Sequence, residues 1–452
     1  MLKIKNNWLI ILLLLTLVKG IFWSLLTPIF QAPDENVHFG IIQYIGENNH
    51  HPGPKNGEIV SKELVEVGSI VRFNWMSSHP VWQGTESDWL NQINQLDLNL
   101  KTNFGSYQRQ GGQKLPQAYY WLNWPVYKIF QNQSFLIRFY SLRIVSVLLG
   151  VATVYISYLI GLLIFKSRSL GLATASLVAF QPMASVIFSS ITYDSLAIFT
   201  ATLFLYFSII FIKNKQTKYL WLTLLVSLFA LTVKTQLITL LLSWPFLLTK
   251  KHFKKLAIFT PLIVVVGFIK DYKEMLTRTF SWLNSGSIFS NLTQYLTQNS
   301  PRMWAEIFPW YWGVFGWLEA VMPMWVYAII KLITLISLIG LVYYLFKHFK
   351  AKSKQYLITK FLIIFTLLIS SVIFVNDFII FTGRSTVFGV QGRYLLPAIT
   401  SNMALLVLGI ISLLPVSLHR LAGRSIIFFS LCLNIVGIYS LIKYFGCQFC
   451  LY

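Results

Sequence analysis

The sequence predicts an all-α polytopic membrane protein, and three observations carry that prediction. The 452 residues are 56% hydrophobic and only 12% charged, with a mean hydropathy of +0.62. Uninterrupted apolar runs of ~20 residues recur along the chain, each long enough to cross ~30 Å of hydrocarbon as a helix. The short loops after alternate runs are basic: Lys166 and Arg168; Lys213, Lys215 and Lys218; Lys250, Lys251, Lys254 and Lys255; Lys347, Lys350, Lys352 and Lys354; Arg420 and Arg424. With Lys3 and Lys5 they contain no acid. This is the positive-inside pattern, and it puts these loops and the N-terminus on the cytoplasmic side. The net charge of +22, from 37 basic and 15 acidic residues, therefore reports topology and gives no reason to expect nucleic acid.

Charge alternation divides the apolar runs into about 11 spans: 8–26, 142–165, 169–188, 195–212, 219–233, 235–249, 256–270, 320–346, 357–380, 394–416 and 425–443. The first reads as a retained helix. It is longer than a signal-peptide core, carries Lys19, and has no small-residue cleavage site before Pro28. The fifth and sixth are short and meet at Lys234, as a re-entrant or buried hairpin would. The chain thus divides into the first helix (1–26), a large extracytoplasmic first loop (27–135), spans two to seven (136–270), a second outer loop (271–319), and spans eight to eleven (320–452) with a short outer loop at 381–393.

The first loop has clusters of turn formers, such as Asn48-Asn49-His50-His51-Pro52-Gly53-Pro54, and is long enough for a small domain on the membrane. It also holds Trp75, Trp82, Trp89, Tyr107, Tyr119, Tyr120, Trp121 and Trp124. Aromatics favour the membrane interface and also suit stacking on sugar rings. Cys447 and Cys450 form a CxxC, but no second half of a metal site accompanies them, and an incidental or local disulfide is the simpler reading.

The residues able to carry chemistry gather at the outer ends of the spans. Pro33-Asp34-Glu35 follows the first span, with His38 one helical turn on. Two adjacent acids are costly near lipid, and they offer a base or a metal ligand where a lipid-linked head group would lie. Glu35 and Asp34 both share a helix face with His38. An N-cap ahead of a helix at 36–47 would account for one acid but not for both. Asp194, in Ser190-Ile191-Thr192-Tyr193-Asp194-Ser195, either caps the fourth span or joins Asp34. Lys234 lies between apolar segments, where a charge is a functional candidate unless it snorkels to the interface. Arg384 and Arg393 are outer cations against the positive-inside trend, and arginine grips phosphate with paired N–H donors. Arg393 is followed by Tyr394, and Gly392 permits close backbone approach.

Carboxylates, phosphate-ready cations and sugar-ready aromatics beside lipid fit a substrate with a membrane-soluble tail, a phosphate and a sugar. Glycosyl transfer is the chemistry expected. No Gly-rich nucleotide loop is apparent, as a lipid-linked donor requires none.

At these residues the chain resembles the C-type (GT-C) membrane glycosyltransferases, and more narrowly a group of uncharacterised bacterial membrane proteins thought to share that fold. The resemblance rests on Ala32-Pro33-Asp34-Glu35-Asn36-Val37-His38-Phe39, the stretches 138–150 and 181–196, Tyr311-Trp312-Gly313-Val314-Phe315-Gly316-Trp317, and Gln391-Gly392-Arg393-Tyr394-Leu395-Leu396-Pro397. It implies a GT-C-like fold, a polyprenyl-phosphate-sugar donor, and a first-loop acid as base, carried here by Asp34 with Glu35 behind it. It implies donor-phosphate contacts from late outer loops, carried here by Arg393.

Two elements depart from the pattern. A Pro-Pro-Leu-Tyr-Tyr-like stretch reads Leu115-Pro116-Gln117-Ala118-Tyr119-Tyr120, and Thr192-Tyr193 stands before Asp194 where asparagines are usual. Members differ in needing a divalent metal, and Glu35 with His38 is too small a ligand set to decide; no metal ligands are assigned.

The function expected is therefore inverting transfer of a sugar to an envelope glycan, lipid or protein, on the extracytoplasmic face of a bacterial cell membrane. A transporter or flippase of lipid-linked saccharides is the alternative. Its usual marks are internal repeats and mid-membrane polar residues, whereas here the polar residues sit at span ends.

Overall fold

The computed structural model describes residues 7–52, 60–75, 77, 80–85, 88–105, 117–247, 288–350, 353–384 and 389–446. Among them seven helices are long and apolar enough to cross a membrane: Asn7–Leu26, Phe135–Phe165, Tyr193–Asn214, Met324–His348, Lys354–Thr382, Gly392–Ser412 and Val416–Phe445. Two shorter apolar helices, Arg168–Phe180 and Thr217–Val233, accompany them. The protein is all-α and polytopic, but 11 continuous spans are not found among the described residues. The run at 169–188 breaks because Pro182 cannot continue a helix from Phe180. Gln181 is extended there, and Pro182 opens a new short helix, Pro182–Ile187. The run at 235–249, as far as Leu247, forms short turns, Thr235–Ile238, Thr239–Leu242 and Trp244–Phe246, in place of one helix. The expected span at 256–270 lies outside the described residues, as do Tyr107, Cys447 and Cys450.

In chain order the helices are α1 (Asn7–Leu26), α2 (Glu35–Asn48), α3 (Lys62–Ile70), α4 (Trp89–Asn94), α5 (Ala118–Ile129), α6 (Phe135–Phe165), α7 (Arg168–Phe180), α8 (Pro182–Ile187), α9 (Tyr193–Asn214), α10 (Thr217–Val233), α11 (Thr239–Leu242), α12 (Ile288–Arg302), α13 (Phe308–Gly313), α14 (Met324–His348), α15 (Lys354–Arg384), α16 (Ile399–Ser412) and α17 (His419–Phe445). α6 is the spine, packing on α1, α7 and α9. Its 31 residues span ~46 Å at ~1.5 Å each, more than the hydrocarbon needs. The surplus turns carry Arg138 and Arg143, both fully buried, into the segment between α1 and α6. α14 and α16 approach through glycine: a Cβ on Gly340 would stand 1.9 Å from the Gly409 carbonyl oxygen, the close packing that small residues permit in lipid.

The segment between α1 and α6 folds against the bundle at the end where α1 stops. Two short strands, β1 (Val60–Ser61) and β2 (Phe104–Gly105), pair antiparallel with Val60 opposite Gly105. A buried polar chain fastens this layer to α6. Arg138 pairs with Glu63 and donates to the Tyr127 hydroxyl at 3.1 Å; Gln43 donates to Glu63 at 2.6 Å, and Ser61 to Gln43 at 2.6 Å. Beneath lies an aromatic cluster of Phe30, Phe73, Trp75, Phe135 and Phe139. Most of the loop's aromatics are therefore core. Of the seven described, Tyr119, Tyr120 and Trp89 are buried, Trp75, Trp82 and Trp124 are partly buried against the core, and Trp121 is exposed. Burying these rings supplies the apolar area a small layer needs, and leaves few of them free to stack on a sugar.

Gly392 does make a close approach, to the chain itself. A Cβ there would lie 2.1 Å from the Tyr311 backbone nitrogen and 2.5 Å from the Ile307 oxygen. This contact locks the 391–397 stretch, a 3₁₀ helix over Gly392–Ala398, against α13.

Candidate active site

Four elements converge at the end of the bundle where α1 stops: the turn after α1, the N-terminus of α9, the C-terminus of α10 and the 3₁₀ helix at Gly392–Ala398. Asp34 occupies the N-cap position of α2, yet its side chain makes no capping hydrogen bond, and its backbone is left-handed at φ 63°, ψ 8°. Aspartate tolerates that region better than most residues, but it remains a strained choice. The carboxylate turns instead to Arg393, whose Nη2 donates to Oδ2 at 2.7 Å. The Arg393 side chain is 7% exposed and that of Asp34 47%, so the acid presents an open face from a buried partner. Arg393 is aimed by Gln391, which accepts from Nε at 2.7 Å, and by the Pro33 carbonyl, which accepts from Nη1 at 3.3 Å. Burial raises the Asp34 pKa, but the Arg393 guanidinium beside it, with His38 and Lys234 behind, holds it below the ordinary value.

Asp194 and Lys234 form the second pair. Lys234 Nζ meets Asp194 Oδ1 at 2.5 Å, and both side chains are buried. Thr192, not Asp194, caps α9: its hydroxyl accepts from the Asp194 N–H at 3.3 Å. Lys234 does not snorkel. The chain turns extended at the end of α10, φ −157°, ψ 133°, and the ammonium sits 5.0 Å from the centroids of both Tyr193 and Tyr394. Arg393 lies 5.3 Å from the Tyr394 ring, so one tyrosine faces both cations.

His38 is buried, its Nδ1 3.0 Å from the Tyr120 hydroxyl and its ring edge-on to Tyr193. Burial pushes its pKa down to about 4, against the pull of Asp34 and Asp194, so the imidazole is neutral at pH 7. Burial pushes the Tyr120 hydroxyl up. Tyr119, beside it, contacts the Ser146 hydroxyl at 3.2 Å. The Leu115–Tyr120 stretch thus delivers one tyrosine to the site, although Leu115 and Pro116 lie outside the described residues.

Glu35 is placed differently. Arg143 closes both its oxygens, Nε to Oε1 at 2.8 Å and Nη2 to Oε2 at 2.6 Å, and the Ile191 N–H donates to Oε1 at 2.9 Å. The same guanidinium holds the carbonyls of Ser24, Thr27 and Pro28. Glu35 is fully buried, and through Arg143 it ties the end of α1, the turn carrying Asp34 and the turn before α9 into one block. The sequence points to Tyr120 only as a loop aromatic and to Gln391 and Arg143 only within longer stretches, and assigns none of the three to the site. Arg143 carries the signal that marked Arg393, an arginine in an apolar run away from the basic loops. Arg384 ends α15, and its side chain lies outside the described residues.

Among the described residues no three His, Cys, Asp or Glu side chains gather as metal ligands. The nearest set, Asp34 and His38, has one carboxylate oxygen committed to Arg393 and one ring nitrogen to Tyr120. This donor set does not fit a resident divalent ion, and no step is derived through one.

Two cavities flank the Gly392–Ala398 stretch, and Lys234 lines one of them. One of about 160 Å³ is lined by Tyr193, Lys234, Gln236, Asp377 and Tyr394. A larger one, about 470 Å³ and mostly apolar, is lined by Trp304, Tyr311, Leu341, Phe374 and Leu395 among others. Tyr394 faces the first and its neighbour Leu395 the second.

No curated protein matches this chain. Among solved structures, ArnT from Cupriavidus metallidurans bound to undecaprenyl phosphate is similar at 13% identity and a TM-score of 0.42, over 98% of this chain and 76% of that one. The Archaeoglobus fulgidus oligosaccharyltransferase, in complex with Zn and sulfate, is similar at 12% identity and a TM-score of 0.42, over 97% of this chain and 52% of that one, about half its length. A family profile described as "Predicted membrane protein (DUF2142)" matches residues 17–401, and the chain belongs to that family.

Proposed function

We propose that this protein is an integral-membrane glycosyltransferase that moves a sugar from a polyprenyl-phosphate donor to an envelope glycan, lipid or protein acceptor on the extracytoplasmic face. The observation that carries the reading is the half-open Asp34 carboxylate, held at 2.7 Å by buried Arg393 beside the buried Lys234–Asp194 pair. A strained, exposed acid backed by two buried cations fits catalysis better than it fits stability. The sequence resemblance to C-type glycosyltransferases points the same way.

In this reading the donor phosphate sits at Lys234 and Arg393. Its prenyl chain lies in the apolar 470 Å³ cavity. Asp34 takes the proton from the acceptor hydroxyl as that oxygen attacks the anomeric carbon. The bond from that carbon to the phosphate oxygen breaks, and polyprenyl phosphate leaves with its charge held by the two cations. A single displacement inverts the anomeric centre. Arg393 explains how an acid with a lowered pKa serves as base. An arriving phosphate competes for the guanidinium, so Asp34 gains basicity only when the donor is present. Glu35 and Arg143 hold the turn, and Asp194 holds Lys234.

The test is transfer from a panel of radiolabelled polyprenyl-phosphate sugars by membranes carrying wild type, Asp34→Asn or Arg393→Ala. Transfer by wild type that both variants lose supports the reading. Full transfer by Asp34→Asn removes the assigned base. Labelled lipid that crosses reconstituted vesicles without being consumed replaces the enzyme with a transporter.

A further inference from the structure

The 160 Å³ cavity contains polar groups that the transfer step does not use. Asp377, on α15, is 4% exposed. Its Oδ2 accepts from the Tyr295 hydroxyl at 2.7 Å and its Oδ1 from the Gly389 N–H at 3.1 Å. A hydroxyl and a backbone amide thus fix the carboxylate and leave it lone pairs to spare. Gln236 lines the same cavity, and its Oε1 is enclosed and has no hydrogen-bond partner. An enclosed acceptor without a partner costs about 1–3 kcal/mol, a cost that turning the amide towards a ligand donor in the cavity would remove. Tyr193, Tyr394 and Lys234 line the cavity with these acceptors.

We infer that this cavity receives the sugar ring of the donor, and that Asp377 and Gln236 select the sugar by accepting hydrogen bonds from its ring hydroxyls. The inference rests on the glycosyltransferase reading and adds the residues that choose the substrate. Two acceptors and two tyrosines lining one cavity suit a small polyhydroxylated ring, whose hydroxyls donate and whose C–H faces pack on tyrosine. The volume is of the order of one monosaccharide. Lys234, assigned to the donor phosphate in that reading, lines the same cavity, and Tyr394 in its wall is the chain neighbour of Leu395 in the wall of the apolar cavity.

Binding separates this assignment from the transfer reaction. The full chain in detergent is titrated with polyprenyl phosphate alone, with polyprenyl-phosphate-linked glucose, galactose and mannose, and with their monodeoxy analogues. Wild type should bind one glycosylated lipid more tightly than the bare lipid and lose that gain on one deoxy analogue. Gln236→Leu and Asp377→Asn should each lower affinity for the preferred glycosylated lipid about tenfold, the size of one hydrogen bond to a substrate hydroxyl, and leave bare-lipid affinity unchanged. Gln236→Leu removes an acceptor with no protein partner, so its fold is safe. Asp377→Asn keeps its oxygen for the Gly389 N–H, and the Tyr295 hydroxyl can turn to accept from the amide NH2. Variants that retain the full sugar preference while wild type transfers sugar overturn the pocket and spare the enzyme. Equal weakening of bare and glycosylated lipid also overturns it, because the residues would then act through the phosphate or the fold. Wild type that binds neither lipid overturns both readings.

Discussion

Asp34 and Arg393 stand 359 positions apart in the chain and meet at 2.7 Å. The neighbouring acid, Glu35, turns the other way and is closed by Arg143, 108 positions along. One peptide bond therefore separates an acid with an open face from an acid with none, and the left-handed backbone at Asp34 is what turns them apart.

The pair makes a contrast that mutation can read. Asp34→Asn keeps the shape and tolerates the left-handed backbone; it leaves buried Arg393 with a neutral partner, but the charge removed is half-exposed, so the unfolding midpoint should fall far less than that of Glu35→Gln. Transfer should fall by roughly 10²–10⁴-fold, the usual contribution of a general base. In the proposed mechanism donor affinity should hold or rise, because Arg393 is then released to the phosphate. A variant with normal turnover would show that proton transfer needs another group.

Glu35→Gln should behave in the opposite way. It leaves the Arg143 guanidinium buried with one anion fewer, and breaking a buried pair costs ~3–5 kcal/mol. The expected result is low yield of folded protein and an early melting transition. Arg143→Lys should be nearly as damaging, since an ammonium cannot span two carboxylate oxygens and three carbonyls. Near-normal melting of Glu35→Gln would mean that Glu35 does not hold the turn.

Much of the fold was legible because lipid leaves few options. Apolar runs must be helices there, and the seven long ones coincide with expected spans. The breaks were harder. Pro182 and Pro245 were visible as letters, but whether a proline kinks a span or divides it depends on what satisfies the freed carbonyls. Of the site, Asp34, His38, Asp194, Lys234 and Arg393 were legible as charged or titratable groups in apolar surroundings, and the structure brings them together. Who pairs with whom was not legible. Asp194 with Lys234 and Asp34 with Arg393 are long-range choices that no local period encodes, and the burial of Glu35 follows from an arginine read only as part of a span.

Lys234 and Asp194 should show coupling in a double-mutant cycle. Lys234→Met or Asp194→Asn alone leaves its partner's charge buried and unpaired, and each should lose ~3–5 kcal/mol of stability. The double variant, which buries neither charge, should lose less than either single variant, so the coupling should be at least as large as one single loss, ~3 kcal/mol or more. Transfer should not return with stability, because the double variant still lacks the cation proposed to hold the donor phosphate. Recovery of both would demote Lys234 to a structural role.

Gly392→Ala tests the lock between the Arg393 stretch and α13. The new methyl would fall 2.1 Å from the Tyr311 nitrogen, which is backbone and cannot swing aside. Overpacking of this kind costs ~1–3 kcal/mol or more and moves Arg393 before it unfolds the bundle. The expected variant is folded by circular dichroism, melts several degrees early and has lost most of its transfer. An alanine variant with wild-type transfer would show that Arg393 is aimed by something other than this contact.

His38 gives the protein a predictable acid limb. The folded state keeps its imidazole neutral, with a pKa of about 4 against an ordinary 6.5. Above pH 6.5 folded and unfolded chains are both neutral at this position, and it contributes no pH dependence. As pH falls from about 6.5 towards 4 the unfolded chain takes up a proton that the folded one refuses, so stability declines, by at most ~3 kcal/mol once the folded pKa is reached. His38→Gln removes the titration while keeping a side chain that can meet the Tyr120 hydroxyl. Wild type should therefore lose more of its melting temperature between pH 7.5 and pH 5 than His38→Gln does. Equal losses in the two proteins would mean that the imidazole is already protonated in the fold, paired with Asp34 or Asp194, and the charge balance of the site would have to be redrawn around a third cation.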